Sequence, residues 1–322
     1  MSEPVAGRAR ALLNSPKGLA VLAELAGKSV RNLDEYSTTT RGIGASWIPA
    51  HGPGTDIRAL LGNPPDTEPP LETTQDRNLD DPQDLLVTAA QAVSGWAWNP
   101  LARSATTNLL ADANRYADLA RHLASSTGAG WWWNSFDAQK QVSLTSEELS
   151  PQFAATEEAA RTCLTGNPRT LPYGELVLTS TATGPEIPAA LLCDVEITSR
   201  LTSPISCWEV QVDAGTNVFE IHSPLDWLRL CYRYPRAYDV PDHWSEWGVR
   251  TNRAFGVDWS SMTADWDAMH ISMAGVLTAT DLPIIIGNST TILEGFSTEL
   301  TVWFSNPPHS PKYLGVAESP LS

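Results

Sequence analysis

The spacing of apolar side chains changes once along this chain of 322 residues, and no other feature limits its fold as much. In the first half apolar residues recur every three or four positions, as in Leu101, Leu109, Leu110, Tyr116, Leu119 and Leu123, the period of a helix with one buried face. Residues 5–27 read as two short helices, with Ser15 placed to cap the second and Pro16 in its first turn, where a missing N–H costs nothing. Glu147 to Leu164, after Thr145-Ser-Glu-Glu, reads as a further helix. After about Pro168 the period shortens to two. Glu175-Leu-Val-Leu-Thr-Ser, Ala189-Ala-Leu-Leu-Cys-Asp-Val-Glu-Ile, Cys207-Trp-Glu-Val-Gln-Val and Val218-Phe-Glu-Ile-His are short, strand-like and separated by Pro, Gly or Asn. Helices followed by strands predict an α+β protein, with a helical N-terminal part packed on a mostly antiparallel or mixed sheet.

Proline divides the chain further. Pro64-Pro65 and Pro69-Pro70, among acidic residues, exclude a helix or central strand and predict a solvated connector. The expected segments are 1–62, helical then irregular; 63–84, the acidic connector; 85–165, helical; 166–304, α+β; and 305–322, an irregular tail containing Pro307, Pro308 and Pro311.

Charge and composition exclude several partners. With 37 acidic against 21 basic residues the net charge is −16, so the clustered cations that nucleic acid or an anionic membrane requires are missing. The N-terminus has no basic segment leading into an apolar one, and no apolar run nears the roughly 18 residues of a membrane span, so a cytoplasmic protein is expected. Cys163, Cys193, Cys207 and Cys231 are too widely spaced for a C-x-x-C motif and read as buried reduced thiols. The histidines form no zinc-type pair, and no metal is expected. Glycine-rich phosphate loops and a G-x-S-x-G elbow are also missing.

Tryptophan is the unusual component, with 13 in the chain. Seven of them (208, 227, 244, 247, 259, 266 and 303) fall between Trp208 and Trp303, together with His222, His243 and His270. In this stretch, alternation places Phe219 and Ile221 on one face of a strand and Glu220 and His222 on the other. Ser223-Pro224 then opens a helix that stops before Pro235, and Asp258 caps a short helix carrying Trp259, Met262 and Trp266 on one stripe. Met269, Ile271 and Met273 oppose His270 and Ser272; Leu300, Val302 and Phe304 oppose Glu299, Thr301 and Trp303. Three strands thus each carry an ionisable group on a face away from the apolar one. Trp131-Trp132-Trp133 cannot all enter one core, so at least one of these indoles is expected to be partly exposed.

The same stretch carries two resemblances. Phe219-Glu-Ile-His-Ser-Pro-Leu-Asp-Trp227, Tyr234-Pro235, His243-Trp244, Val257-Asp-Trp259, Trp266-Asp-Ala-Met-His-Ile-Ser and Gly275-Val-Leu-Thr, ending in Glu299-x-x-x-Trp303, resemble a family of uncharacterised actinobacterial proteins. In that family E-I-x-x-P-x-x-W leads to W-D-A-V-H-L-S. The resemblance is best over 208–304 and implies kinship without an activity. The order of a short helix, a strand and a final strand Glu299-Leu-Thr-Val-Trp-Phe is also similar to the ADP-ribosyltransferase fold. That similarity implies NAD as substrate, with Glu299 as the catalytic carboxylate stabilising an oxocarbenium-like transition state and His222 gripping NAD. The first strand lacks the Arg of that fold, and its Ser-Thr-Ser strand and Tyr pair are missing.

Two functions are therefore expected. One is an NAD-consuming, ADP-ribosyltransferase-like enzyme with a Trp-lined cleft for a small planar ligand. There Glu299 is catalytic and His222, His270, Glu220, Ser272, Trp227, Trp266 and Trp303 contact the ligand. The other is a non-catalytic regulatory or immunity-type protein whose exposed indoles meet a protein partner.

Overall fold

The computed structural model describes residues 3–27, 79–98, 113–146, 169, 176–184, 188–201, 203–247 and 249–320. The chain is α+β, its helical residues mostly N-terminal and its strands C-terminal. It divides into two compact units of three segments each: residues 1–130, 237–255 and 277–293 form one, and 131–236, 256–276 and 294–322 the other.

In the first unit, helices α1 (Glu3–Leu13), α2 (Pro16–Leu25), α3 (Pro82–Trp98) and α4 (Ala117–Ser125) pack as α1 on α4 and α2 on α3. The Ser15 Oγ accepts the Gly18 N–H at 3.2 Å, and Pro16 opens α2 in the first turn, so this helix starts where its sequence signals it. Nearly all of α2 is buried, including Lys17 at 0% exposure. The Lys17 ammonium lies 2.6 Å from the Asp281 carboxylate and donates to Thr280 Oγ1 at 2.7 Å. An ammonium taken out of water needs a counter-charge, so this pair fixes how α2 meets the 280–281 turn. The small sheet, ordered β5 (Pro235–Tyr238), β6 (Arg253–Val257), β9 (Ser289–Thr291) and β8 (Ile284–Ile286), backs a core of Trp244, Val249, Ala254 and Ile292.

The second unit is built on a seven-stranded sheet. Its strands are β1 (Gln141–Ser146), β2 (Val177–Thr181), β3 (Ile205–Gln211), β4 (Val218–Ile221), β7 (Ala268–Ile271), β10 (Leu300–Trp303) and β11 (His309–Ala317). They lie in the order β11-β3-β1-β2-β10-β7-β4. The neighbouring pairs are antiparallel except β4 and β7, which run parallel with Glu220 opposite His270 and Ile221 opposite Ile271. All four residues of β7 and all four of β10 are buried, so the sheet is covered on both faces there. One face is apolar, with Ile221, Met269, Ile271, Leu300 and Val302; the other carries Glu220, His270, Thr301 and Thr179.

Helices follow both parallel strands: α6 (Pro224–Arg233) after β4 and α8 (Met273–Ala279) after β7, with the short α7 (Trp259–Met262) between them in the chain. The first turn of α8 lies hard against the end of β4. A Cβ on Gly275 would stand 2.1 Å from the Ile221 carbonyl oxygen, which also accepts the Ser272 N–H at 3.1 Å.

Three stretches differ from the sequence expectation. Residues 305–322 are not an irregular tail: β11 pairs with β3 from His309 to Ala317. It is an edge strand whose register shifts twice, and an edge or bulge accommodates the Pro311 that would break a central strand. Ala189 to Ile197 is helical, a 3-10 turn over Ala190–Cys193 followed by α5 (Val195–Thr198), with the Ile197 N–H donating to the Asp194 carboxylate. Residues Ala190 to Cys193 are all at 0–1% exposure, and a run buried on every side has no alternation to tell strand from helix. β1 lies inside the stretch expected to be wholly helical, pairing with β2 and β3. The helix expected at Glu147–Leu164 and the Leu101 to Leu110 stretch lie outside the described residues.

Two outcomes test this packing. Lys17→Met strands the Asp281 carboxylate and should cost about 3–5 kcal/mol in urea unfolding, most of it recovered in Lys17→Met/Asp281→Asn. Gly275→Ala should lower stability by roughly 2–3 kcal/mol, because the obstructing atom is backbone and cannot swing aside.

Candidate active site

The parallel register of β4 and β7 sets the site. It puts Glu220 beside His270 within the sheet, and Ile221 beside Ile271, so the next residues along, His222 and Ser272, emerge together beyond the carboxyl ends of the two strands. In open sheets this is where ligands gather, because helices start there and direct their first N–H groups outward.

Local chemistry fixes each side chain. His222 precedes α6, and its backbone N–H donates to the Asp226 carboxylate at 3.2 Å, which also accepts the Ser223 hydroxyl at 2.8 Å. Asp226, three residues after the cap position, therefore staples the start of α6 and holds the His222 backbone. Ser272 stands at the turn from β7 into α8, and its Oγ accepts the Gly275 N–H at 3.1 Å.

The side chains form one continuous relay. Ser272 Oγ lies 3.0 Å from His222 Nδ1, and His222 Nε2 lies 2.8 Å from Glu220 Oε2. The Phe136 N–H donates to the same Oε2 at 2.9 Å. His270 Nδ1 stands 3.7 Å from Glu220 Oε2, a charge contact rather than a hydrogen bond, while His270 Nε2 meets Glu299 Oε1 at 3.0 Å. Glu299 also accepts the Thr181 N–H on both oxygens, at 3.2 and 2.9 Å, and the Thr181 hydroxyl at 3.0 Å. The order is Ser272, His222, Glu220, His270, Glu299, Thr181.

Exposure divides this chain of groups. Glu220 and His222 are each 29% exposed, whereas His270 and Glu299 are each at 2% and Ser272 at 1%. Phe136, partly buried, sets its ring edge-on to both His270, at 5.8 Å, and Trp303, at 6.0 Å. Glu220 accepts all of its hydrogen bonds on Oε2, so Oε1 has no partner among the described residues.

Electrostatics follow from these contacts. Burial pushes the Glu220 carboxyl up, but hydrogen bonds from His222 and the Phe136 N–H, with the close approach and charge of His270, outweigh it and hold the group below the usual carboxylate range. Burial likewise pushes His270 down, and the Glu299 hydrogen bond with the charges of Glu220 and Glu299 outweighs it, raising His270 above the usual histidine range. The two carboxylates thus favour the cationic form of the imidazole between them.

The tryptophans named from the sequence lie elsewhere. Trp227, at 0% exposure, packs on Trp259 with ring centroids 6.2 Å apart. Trp303, also buried, donates from Nε1 to Thr179 Oγ1 at 3.0 Å. Trp266 is partly exposed, edge-on to Phe219 at 5.3 Å and donating to the Tyr234 hydroxyl at 3.1 Å. Trp132 is buried while Trp131 and Trp133 are partly exposed. Among the described residues the exposed large apolar side chains are Leu225, Tyr232, Tyr313, Leu314 and Val316, none of them an indole. Cys193, Cys207 and Cys231 are buried free thiols, and burial pushes Cys193 up to about 12 and Cys207 to about 11. No group of metal-ligand type is assembled among the described residues, and no helix there is long and apolar enough to cross a membrane.

Thus His222, Glu220, His270, Ser272 and Glu299 come together, while Trp227 and Trp303 fill the interior. Phe136, Thr181 and Asp226 complete the cluster without having been singled out. Asp226 was legible as the fourth residue of Ser223-Pro-Leu-Asp; Phe136 and Thr181 arrive from distant segments that carry no local signal. The chain matches no family model, no curated protein and no solved structure.

The raised His270 predicts a pH signature. Its charged form stabilises the fold fully below the ordinary value of 6.5, and this contribution is lost as pH rises through the elevated folded value. Glu299→Gln removes the closer carboxylate. Its loss of stability should reach roughly 3 kcal/mol near pH 6 and shrink steadily towards pH 9 in paired thermal-unfolding series.

Proposed function

We propose that this protein is a hydrolase or acyltransferase that uses Ser272 as nucleophile, His222 as general base and Glu220 as the carboxylate that orients and charges His222. One observation carries the reading: the unbroken hydrogen-bond relay Ser272 to His222 to Glu220 at the carboxyl ends of two adjacent parallel strands. A nucleophile bonded to a base that is itself bonded to an orienting group is the arrangement that activates a serine, on whatever fold it occurs.

The steps follow from the contacts. With His222 protonated on Nε2, that N–H donates to Glu220 and Nδ1 accepts the Ser272 hydroxyl proton. As Ser272 Oγ attacks an acyl carbon, its proton passes to His222 Nδ1, and the imidazolium is stabilised by ionised Glu220. The Gly275 N–H, already donating to Oγ, stabilises developing negative charge on that atom. His222 returns the proton to the leaving group, and water then releases the acyl group by the same route reversed.

NAD consumption through Glu299 is less well supported, because both its oxygens are already engaged by Thr181 and His270. One set of measurements separates the readings. Incubation with a fluorophosphonate should add a single adduct at Ser272 by intact mass and peptide mapping. Ser272→Ala should abolish it, and His222→Gln or Glu220→Gln should slow hydrolysis of p-nitrophenyl acetate about 10²- to 10⁴-fold. No adduct on folded protein sinks the proposal. Nicotinamide release from NAD that survives Ser272→Ala but not Glu299→Gln replaces it with the NAD-consuming reading.

A further inference from the structure

The relay is three residues long, yet the charged network is longer, and its inner half has no role in the steps above. His270 and Glu299 lie behind Glu220 in the order of contacts, at 2% exposure each. Their burial is costly and is offset only because each is paired.

We infer that His270, held from behind by Glu299, is the positioning residue of the relay: it fixes the Glu220 carboxylate beneath His222 and keeps it ionised. The inference rests on the hydrolase reading for its catalytic consequence and on geometry for its physical content. Glu220 has to remain an acceptor. A protonated Glu220 would no longer hold the His222 Nε2–H or balance the imidazolium formed when Ser272 gives up its proton.

Three groups converge on Glu220 Oε2 and aim it. The Phe136 N–H, at 2.9 Å, comes from the segment before β1; His222 Nε2, at 2.8 Å, comes from its own strand end; and His270 Nδ1, at 3.7 Å, comes from β7. Of the three, only His270 is a buried group that can bring a charge. The parallel register locks the pair, since Glu220 and His270 are directly opposed and their side chains leave the same face of the sheet.

Every element against His270 bears on its state. β4 supplies Glu220, and the residue before β10 supplies Glu299 at 3.0 Å. β2 supplies Thr181, which orders Glu299 and places no charge on His270. The Phe136 ring covers one side, and the His222 ring lies 6.3 Å away. Two carboxylates thus face one imidazole, and no cation among these groups opposes its protonation. Glu299 supplies the counter-charge that lets His270 remain cationic while the electron pairs of Glu220 stay available to His222.

The test has a readout that owes nothing to activity. Carbon-13 NMR of side-chain carboxyls in the full chain follows the Glu220 titration, assigned through Glu220→Gln. In His270→Gln its midpoint should rise by about one to three pH units, with a smaller rise in Glu299→Gln, which keeps the imidazole and guards against a misfolded first variant. In ester hydrolysis, kcat should fall about a hundredfold in His270→Gln with KM changed less than about threefold, and the acid limb of kcat/KM should move to higher pH. A Glu220 midpoint that stays put in both variants, each with a dispersed folded spectrum, overturns the inference. If the midpoint moves but wild type hydrolyses no ester and takes no fluorophosphonate, the hydrolase reading falls and the positioning of Glu220 by His270 stands. A lowered kcat with an unmoved acid limb assigns His270 to packing alone and overturns it as well.

Discussion

A strand covered on both faces offers its side chains no water, and β7 is such a strand. Its four residues are buried, it lies between β10 and β4, and it carries His270 on the face opposite Met269 and Ile271. A histidine there has either to be neutral and hydrogen-bonded or charged and paired. Glu299 on one side and Glu220 on the other favour its charged form. Once His270 is charged, Glu220 cannot be replaced by a neutral residue without leaving an imbalance in the interior, and Glu220 in turn fixes the rotamer of His222. The polar face of the sheet is therefore a sequence of obligations passed from the interior to the mouth of the site.

Parallel pairing makes that mouth. In an antiparallel pair adjacent strand ends belong to opposite chain directions, so one strand leaves where its neighbour enters. β4 and β7 leave together, and each passes directly into a helix: Ser223 and Pro224 open α6, and Ser272 precedes Met273 of α8. The close approach at Gly275, whose missing side chain admits the Ile221 carbonyl, keeps the start of α8 against β4 and so holds Ser272 within hydrogen-bond distance of His222. Packing and chemistry meet at that glycine, some distance in sequence from the residues it serves.

Much of this was legible because it is local. Alternation placed Glu220 with His222, and His270 with Ser272, on faces away from the apolar residues. Ser15 and Asp258 cap their helices with side-chain oxygens as residues of that type do generally, and Ser223 holds the cap position of α6 with its hydroxyl donating to Asp226. What escaped was the non-local part. Thr181 reaches Glu299 from 118 positions away, and Phe136 reaches Glu220 from 84. No periodicity encodes such pairings. Burial was also misjudged in one direction: indole density suggested a cleft wall, but Trp227 and Trp303 fill the interior, and the Trp303 N–H finds its partner there in Thr179. The edge strand β11 was hidden by its prolines, which are punctuation inside a sheet and harmless at its border.

The two glutamates show how environment, rather than sequence context, assigns a role. Glu299 sits in a strand sequence that resembles a catalytic one, yet Thr181 donates to both its oxygens and His270 meets Oε1, so each oxygen is already engaged inside the sheet. Glu220 shares a strand face with His222, has one oxygen without a partner among the described residues and stands 29% exposed beside an equally exposed histidine. Two carboxylates joined through one imidazolium cannot both face substrate: the inner one holds the charge that the outer one needs. On the proposed relay the chemistry belongs to the member that keeps an approach from solvent, Glu220.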